Sequence, residues 1–78
     1  MDRPKRGDRF IHARYLRDDA RPPYTDGSYA EHVVTSVRTS GQTVVVSHIS
    51  ADAWDAGNHR GQWFFTLDKA NESVRRWL

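Results

Sequence analysis

The chain has 78 residues, a formal net charge of +2 and no cysteine. A domain of this size lies near the lower limit for a stable core, so we expect most large apolar side chains to be buried. The lack of cysteine excludes disulfides and thiolate metal sites and favours a reducing compartment, for which we expect the cytoplasm. The longest apolar runs, 44–46 and 63–65, are too short to span a bilayer.

Composition divides the chain into a basic N-terminus and one domain. Residues 1–7 are polar, contain Pro4 and are predicted to be a flexible segment that trails in solvent. Residues 8–78 are predicted to form a single β domain. Seven basic and four acidic side chains fall within the first 21 residues, so basic character is concentrated near this end of the chain.

The first predicted strand covers residues 9–16 and is preceded by a turn at Gly7-Asp8. Strand alternation would place Phe10 and His12 on the same face of a sheet. A loop over residues 18–28 follows, because Asp, Pro and Gly repeatedly punctuate it. Long ordered loops often carry function, so this loop is a candidate binding edge.

A β-hairpin is the clearest pattern in the sequence. β-Branched residues favour strands over 29–38 and 43–49, and Ser40-Gly41 between them supplies the positive φ of a tight reversal. Alternation would place Val33 and Val37 on one face of the first strand and Val34 on the other. The centre of the molecule is therefore predicted to be an antiparallel hairpin.

The C-terminal third contains a second long connection and an ambiguous tail. One helical turn is predicted at 51–54, and a short apolar fourth strand at 62–66. From residue 67 onward, apolar residues recur at helical spacing, and we prefer a helix there. The alternative is one 3₁₀ turn at 67–70 followed by a fifth strand over 73–78.

The residues that could carry chemistry show no catalytic spacing. His12, His32 and His48 each fall in a predicted strand and could together ligate zinc. No closely spaced ligand pair supports that idea, so we prefer solvated or hydrogen-bonded histidines and predict neither metal nor cofactor. No nucleophile elbow, HExxH pattern or phosphate-binding loop occurs. We therefore predict that the chain is not an enzyme.

A protein partner is the leading functional expectation. An exposed tryptophan in a polar loop, as predicted for Trp54, is a typical binding anchor, although it could also fold back as a lid on a small barrel. Self-association through a sheet edge is a further expectation, with Val34, Val46 or Phe64 on the uncovered face. The candidate partner-binding residues are Trp54, Tyr15, Tyr24, Asp18 and Asp19.

Nucleic-acid binding is the alternative expectation. N-terminal basic side chains would contact phosphates, and Tyr15 or Tyr24 would stack on bases. Four aspartates in the same stretch and the modest net charge make this reading second to a protein partner. The candidate nucleic-acid-binding residues are Arg3, Lys5, Arg6, Arg9, Arg14 and Arg17.

The order of predicted elements resembles that of small SH3-like barrels. Gly7-Asp8-Arg9-Phe10 opens a strand, a long loop and a hairpin follow, and Gly61-Gln62-Trp63-Phe64-Phe65 leads into a short helical turn. The pattern GDRF…ARYL…VVTSVR…TVVV…WFFTLDKANESV also resembles very small proteins of unknown function encoded by actinobacteria and their phages. The resemblance implies a mostly β fold, a four- or five-stranded antiparallel SH3-like roll or barrel with a short C-terminal helix. It also implies an acidic, aromatic groove containing Tyr15, Asp18, Asp19 and Trp54.

Overall fold

A computed structural model describes residues 3–13 and 31–78 of the chain. The elements in chain order are β1 (Arg9–His12), β2 (Glu31–Ser40), β3 (Thr43–Ser50), helix α1 (Ala51–Asp55), β4 (Trp63–Thr66), a 3₁₀ helix (Leu67–Glu72) and β5 (Val74–Trp77). The five strands form one antiparallel sheet in the order β4-β3-β2-β1-β5, curled into a half-barrel. The predicted mostly β, antiparallel fold is confirmed.

The β2–β3 hairpin forms the centre of this sheet, as predicted. Ser40 pairs with Thr43 at the end of the ladder. Gly41 in the turn between them has a φ of 63°, a region in which a side chain would be strained. The turn and the β-branched strands therefore agree with the local sequence signals that predict a hairpin.

A β-bulge divides β2 into two parts. Val34 pairs with His48 and Ser36 with Ser47, so Thr35 is the extra residue in the strand. The bulge shifts the alternation of side chains by one position, and Val34 and Val37 consequently pack into the same apolar cluster. The prediction that these two valines lie on opposite faces is wrong for this reason.

The main core lies on one face of the sheet, which we call the inner face. Buried Phe10, Val34, Val46 and Phe65 form its centre. Val37, Ala70, Val74 and Trp77 pack against them, so the 3₁₀ helix and β5 close this face. The opposite face of the central strands is also covered, because Ile11, Val33 and Ile49 are buried.

The C-terminal segment differs from the helix that we preferred. Leu67–Glu72 form a 3₁₀ helix, and Val74–Trp77 form β5, which pairs with β1. The predicted C-terminal helix is therefore wrong, and the alternative of a 3₁₀ turn followed by a fifth strand is correct. The reason is that β1 needs a partner for its outer backbone groups: Arg9 O accepts from Leu78 N at 3.0 Å.

The turn before β1 lies against β2. Gly7 N donates to Val34 O and Val34 N donates to Asp8 O, both at 2.8 Å. The Arg6 guanidinium donates to Thr35 O at 3.1 Å, and Pro4 is buried. The bulge presents backbone carbonyls that this turn satisfies. The flexibility expected of residues 1–7 stays a prediction.

Helix α1 follows β3 without a loop. Ser50 caps it, because its hydroxyl oxygen accepts a hydrogen bond from Ala53 N at 3.3 Å. Ala51 is the buried residue of the helix and Gly57, with a φ of 98°, follows its end. The single helical turn predicted at 51–54 is confirmed. No helix within the described part of the chain is long and apolar enough to cross a membrane.

Gly61 allows the connection before β4 to approach the bulge closely. A Cβ atom at this position would lie 2.6 Å from Thr35 Oγ1 and 2.8 Å from Ser47 Cβ. We expect Gly61→Ala to lower the free energy of unfolding by about 1–3 kcal/mol, because two strands must shift to admit the methyl group. Chemical denaturation measures this loss. The exposed neighbour Gln62→Ala should stay within about 0.5 kcal/mol of wild type. Equal stability of the two variants would contradict the close approach.

Candidate functional site

Three histidines from adjacent strands meet on the inner face. The ring centroids are 4.7 Å apart for His12 and His32, 5.3 Å for His12 and His48, and 5.0 Å for His32 and His48. All three side chains are buried. Because β1, β2 and β3 are neighbours in the sheet, residues far apart in the sequence are brought into one histidine cluster.

His32 and His48 contact each other through their Nδ1 atoms, which are 2.9 Å apart. Such a contact needs one N–H donor and one bare nitrogen acceptor, so a single proton is shared at this point. Burial lowers the pKa of His48 to about 3, and repulsion from His32 and His12 adds to the effect. His48 is therefore neutral at neutral pH.

Aromatic rings surround the histidine cluster. Phe10 meets the His48 ring edge-on at a centroid distance of 5.1 Å, and Trp63 lies parallel to that ring at 6.1 Å. Trp63 also contacts His32 at 5.3 Å, and Phe65 contacts His48 at 5.6 Å. These imidazoles pack as members of the core, in contact with aromatic rings.

The described residues provide no metal centre. Within 3–13 and 31–78, no set of three or more His, Asp or Glu side chains is arranged to hold a metal ion. In the histidine cluster, the contact between His32 and His48 already uses one nitrogen of each ring. The zinc hypothesis raised by the sequence therefore finds no ligand set in this part of the chain.

A cleft of about 470 Å³ opens beside the histidine cluster. It lies where β4 faces the junction between the 3₁₀ helix and β5. Imidazole, aromatic and carboxylate groups line it, including those of His12, His48, Trp63, Phe64, Glu72 and Ser73. The lining is about equally polar and apolar, so the cleft offers aromatic surface together with several polar groups to a side chain or small ligand.

The edge strand β4 borders this cleft. β3 pairs with one side of β4, and no other strand of the described sheet lies on the opposite side. The strand has the sequence Trp-Phe-Phe-Thr, without charge or proline. Phe64 within it is 74% exposed, and Leu78 is the other exposed large apolar residue within 3–13 and 31–78, at 61%.

The two edges of the sheet differ in character. β5 has the sequence Val-Arg-Arg-Trp, and Arg75 and Arg76 are both exposed. Charged side chains on an edge strand oppose the addition of another strand, because pairing would desolvate them. The two arginines therefore protect β5 against the addition of another strand, whereas β4 contains no charged residue that would protect it.

Trp54 is half-buried and lies in α1 rather than in a loop. Its ring stacks on His59 at a centroid distance of 3.8 Å, and the Arg6 guanidinium lies 5.2 Å from the ring centroid. These contacts come from its own chain. The four other candidate partner-binding residues, Tyr15, Tyr24, Asp18 and Asp19, lie outside the described residues.

Arg9 lies between two carboxylates. Its guanidinium is 2.8 Å from Glu31 Oε2 and 2.8 Å from Asp55 Oδ1. Hydrogen bonds to Asp55 and then to Glu31 raise the pKa of Arg9 above its ordinary value. Arg9 thus links β1 to the start of β2 and to the end of α1, and the two carboxylates compensate its charge.

The remaining N-terminal basic residues have mixed surroundings. Arg3 donates to Thr39 Oγ1 at 2.8 Å, and Arg6 contacts β2 and Trp54 as described above. Lys5 is exposed. Arg14 and Arg17, the other two members of the predicted basic set, lie outside the described residues.

Fold and site together define a small antiparallel β domain with a curled sheet, a buried histidine cluster and one uncharged edge. No family model, curated protein or solved structure matches the chain. The resemblance to SH3-like barrels and to small actinobacterial and phage proteins therefore stays a prediction from the sequence pattern.

Proposed function

We propose that this chain is a non-catalytic binding module that recognises a protein partner through the edge of β4. The observation that carries the proposal is the exposure of Phe64 on an uncharged edge strand. Such an edge offers unpaired backbone groups to an extended segment of another protein, and the phenyl ring adds apolar contact area.

The cleft next to β4 gives this edge a means of selecting its partner. Neighbouring side chains of a strand point to opposite faces of the sheet. A segment added to β4 would therefore place alternate side chains beside Phe64 and near the cleft that Trp63 and His48 line. Backbone pairing supplies affinity in this mode of recognition, and the cleft supplies specificity.

A protein is favoured over nucleic acid because three of the candidate N-terminal basic side chains, Arg3, Arg6 and Arg9, already donate to groups of their own chain. Arg9 is compensated by two carboxylates, and Arg3 and Arg6 donate to groups of β2. Phosphate binding depends on uncompensated cations. The setting that we propose for this binding is the cytoplasm, in keeping with the cysteine-free composition.

Selection from a displayed library of random peptides tests the proposal. We expect wild type to enrich peptides whose affinity falls about tenfold, or about 1.4 kcal/mol, on Phe64→Ser, because both apolar contact and strand pairing are weakened. The amide NMR signals that shift on peptide addition should centre on Trp63–Thr66 of β4.

Leu78→Ser provides the matched control, since Leu78 is likewise a large apolar residue that is exposed. It should leave the affinity within about twofold, and Trp54→Ala reports separately on the candidate anchor in α1. Failure of a monomeric protein to enrich any peptide, or equal losses for Phe64→Ser and Leu78→Ser, would contradict the proposal.

Salt titration separates this proposal from the nucleic-acid alternative. Binding that rests on strand pairing and apolar contact should change little with salt. Binding to duplex DNA would weaken with a slope of about −0.9 per phosphate contact in a plot of log affinity against log salt. Tight, steeply salt-dependent binding of an oligonucleotide would favour the alternative.

A further inference from the structure

We infer that the edge of β4 pairs with the same edge of a second copy of this chain, which makes the protein a symmetric homodimer. The inference rests on the proposed function, because it uses the same edge and names its partner. In a dimer with a twofold axis, both copies use the same surface, so that surface must be complementary to itself.

Antiparallel pairing with Phe64 opposite its counterpart meets this requirement. Directly opposed side chains in an antiparallel pair have Cβ atoms about 4.5–5.5 Å apart, close enough for the two exposed phenyl rings to cover each other. In the same register, Trp63 lies opposite Phe65 of the other copy. Half-buried Trp63 would lose further contact with water beside the cleft.

The charges that flank β4 are complementary in this register. Arg60 precedes Phe64 by the same number of residues as Asp68 follows it. Each Arg60 would therefore lie near Asp68 of the other copy, and symmetry makes the contact twice. Both side chains are exposed, and neither forms an ion pair with a residue that the structure describes.

The rest of the surface permits this arrangement. The other sheet edge, β5, is protected by Arg75 and Arg76, which leaves β4 as the edge open to pairing. The net charge of +2 is small, so two copies do not repel each other strongly. Pairing at one edge also closes the assembly as a dimer rather than extending it into a fibre.

Cross-linking through a single introduced cysteine tests the register. The chain has no cysteine, so Phe64→Cys carries one thiol. Opposed Cα atoms about 4.5–5.5 Å apart lie within the range that a disulfide spans. We expect Phe64→Cys to form a covalent dimer under mild oxidation about tenfold faster than Arg75→Cys, the exposed control on β5. Equal rates would overturn the inference.

Charge reversal tests the same register without altering Phe64. By sedimentation equilibrium, Arg60→Asp and Asp68→Arg should each raise the dimer dissociation constant about tenfold, because like charges then face each other twice. The double variant should recover to within about threefold of wild type, since the pair is restored with its sign exchanged. A double variant as weak as the two single ones would overturn the inference.

The outcomes separate this inference from the function on which it rests. A wild-type protein that stays monomeric at millimolar concentration overturns the homodimer. Peptides that bind β4 of that monomer would still support the proposed function. Absence of both self-association and peptide binding would contradict both.

Discussion

Replacing Phe10 with alanine is expected to leave the protein largely unfolded at neutral pH. Phe10 is fully buried and touches rings from three strands, with centroid distances of 5.1 Å to His48, 5.9 Å to Phe65 and 5.2 Å to Trp77. Removing a buried phenyl ring costs about 3–5 kcal/mol. A domain of this size has little more than that to lose, since total stabilities begin near 5 kcal/mol.

Circular dichroism during heating and chemical denaturation measures this effect. Phe64→Ala is the matched control, because it makes the same chemical change at a residue that is 74% exposed. At a protein concentration low enough to prevent self-association, we expect its free energy of unfolding to stay within about 0.5 kcal/mol of wild type. Phe10→Leu keeps part of the buried volume and should be intermediate. Similar stability of Phe10→Ala and Phe64→Ala would refute the placement of the core.

Acidification is expected to destabilise the fold through the histidine cluster. The pKa of His48 is lowered to about 3 in the folded state, mainly by burial, against an ordinary value of 6.5. Because the folded state favours neutral His48, this stabilisation is complete above pH 6.5. It is lost as the pH falls toward 3, at about 1.4 kcal/mol per pH unit for one proton.

The groups that surround His48 explain why we expect nothing to offset this loss of stability at low pH. His32 and His12 are its ring neighbours, and Glu72 is the carboxylate that lines the same cleft. Addition of a second proton between His32 and His48 would place two N–H groups against each other at 2.9 Å. Protonation of the cluster should therefore proceed by opening of the inner face.

His48→Asn tests this pH dependence, because an asparagine amide can reach toward His32 without titrating. We expect the slope of unfolding free energy against pH, between pH 6.5 and 4, to be shallower by up to about 1.4 kcal/mol per unit than in wild type. The comparison of slopes remains informative even if the smaller side chain lowers stability throughout. His59→Asn makes the same change at an exposed loop histidine outside the cluster and serves as the control. Parallel slopes for all three proteins would contradict burial of the cluster.

Local signals explain the parts of the fold that the sequence predicts well. β-Branched residues around Gly41 specify the hairpin, and Ser50 with Ala51 specifies the start of α1 without reference to the rest of the chain. The bulge at Thr35 and the strand β5 depend instead on tertiary partners. From Leu67 onward, a 3₁₀ helix followed by a strand places apolar residues on the core at the same spacing as an α-helix would. The pattern therefore could not distinguish these two structures.

The candidate site was less accessible to sequence reasoning than the fold. His12, His32 and His48 were each placed in strands, but their meeting depends on the strand order, which no spacing encodes. Trp63, Phe64 and Phe65 are all aromatic, so polarity does not alternate along β4 and cannot reveal that Phe64 is the exposed one. The sequence shows that β4 is uncharged and that β5 contains arginines. This contrast has meaning only when both strands are known to lie at the edges of the sheet.

The pairing of β1 with β5 has a consequence for the order of folding events. Phe10 pairs with Trp77, so the first and last strands are joined across nearly the whole length of the chain. Closing so large a loop is entropically slow, and folds rich in such distant pairings reach the native state in milliseconds to seconds rather than microseconds. The hairpin can form early and by itself. On a ribosome, however, Phe10 lacks the contact with Trp77 until β5 has been synthesised, and a chaperone would be most useful during that interval.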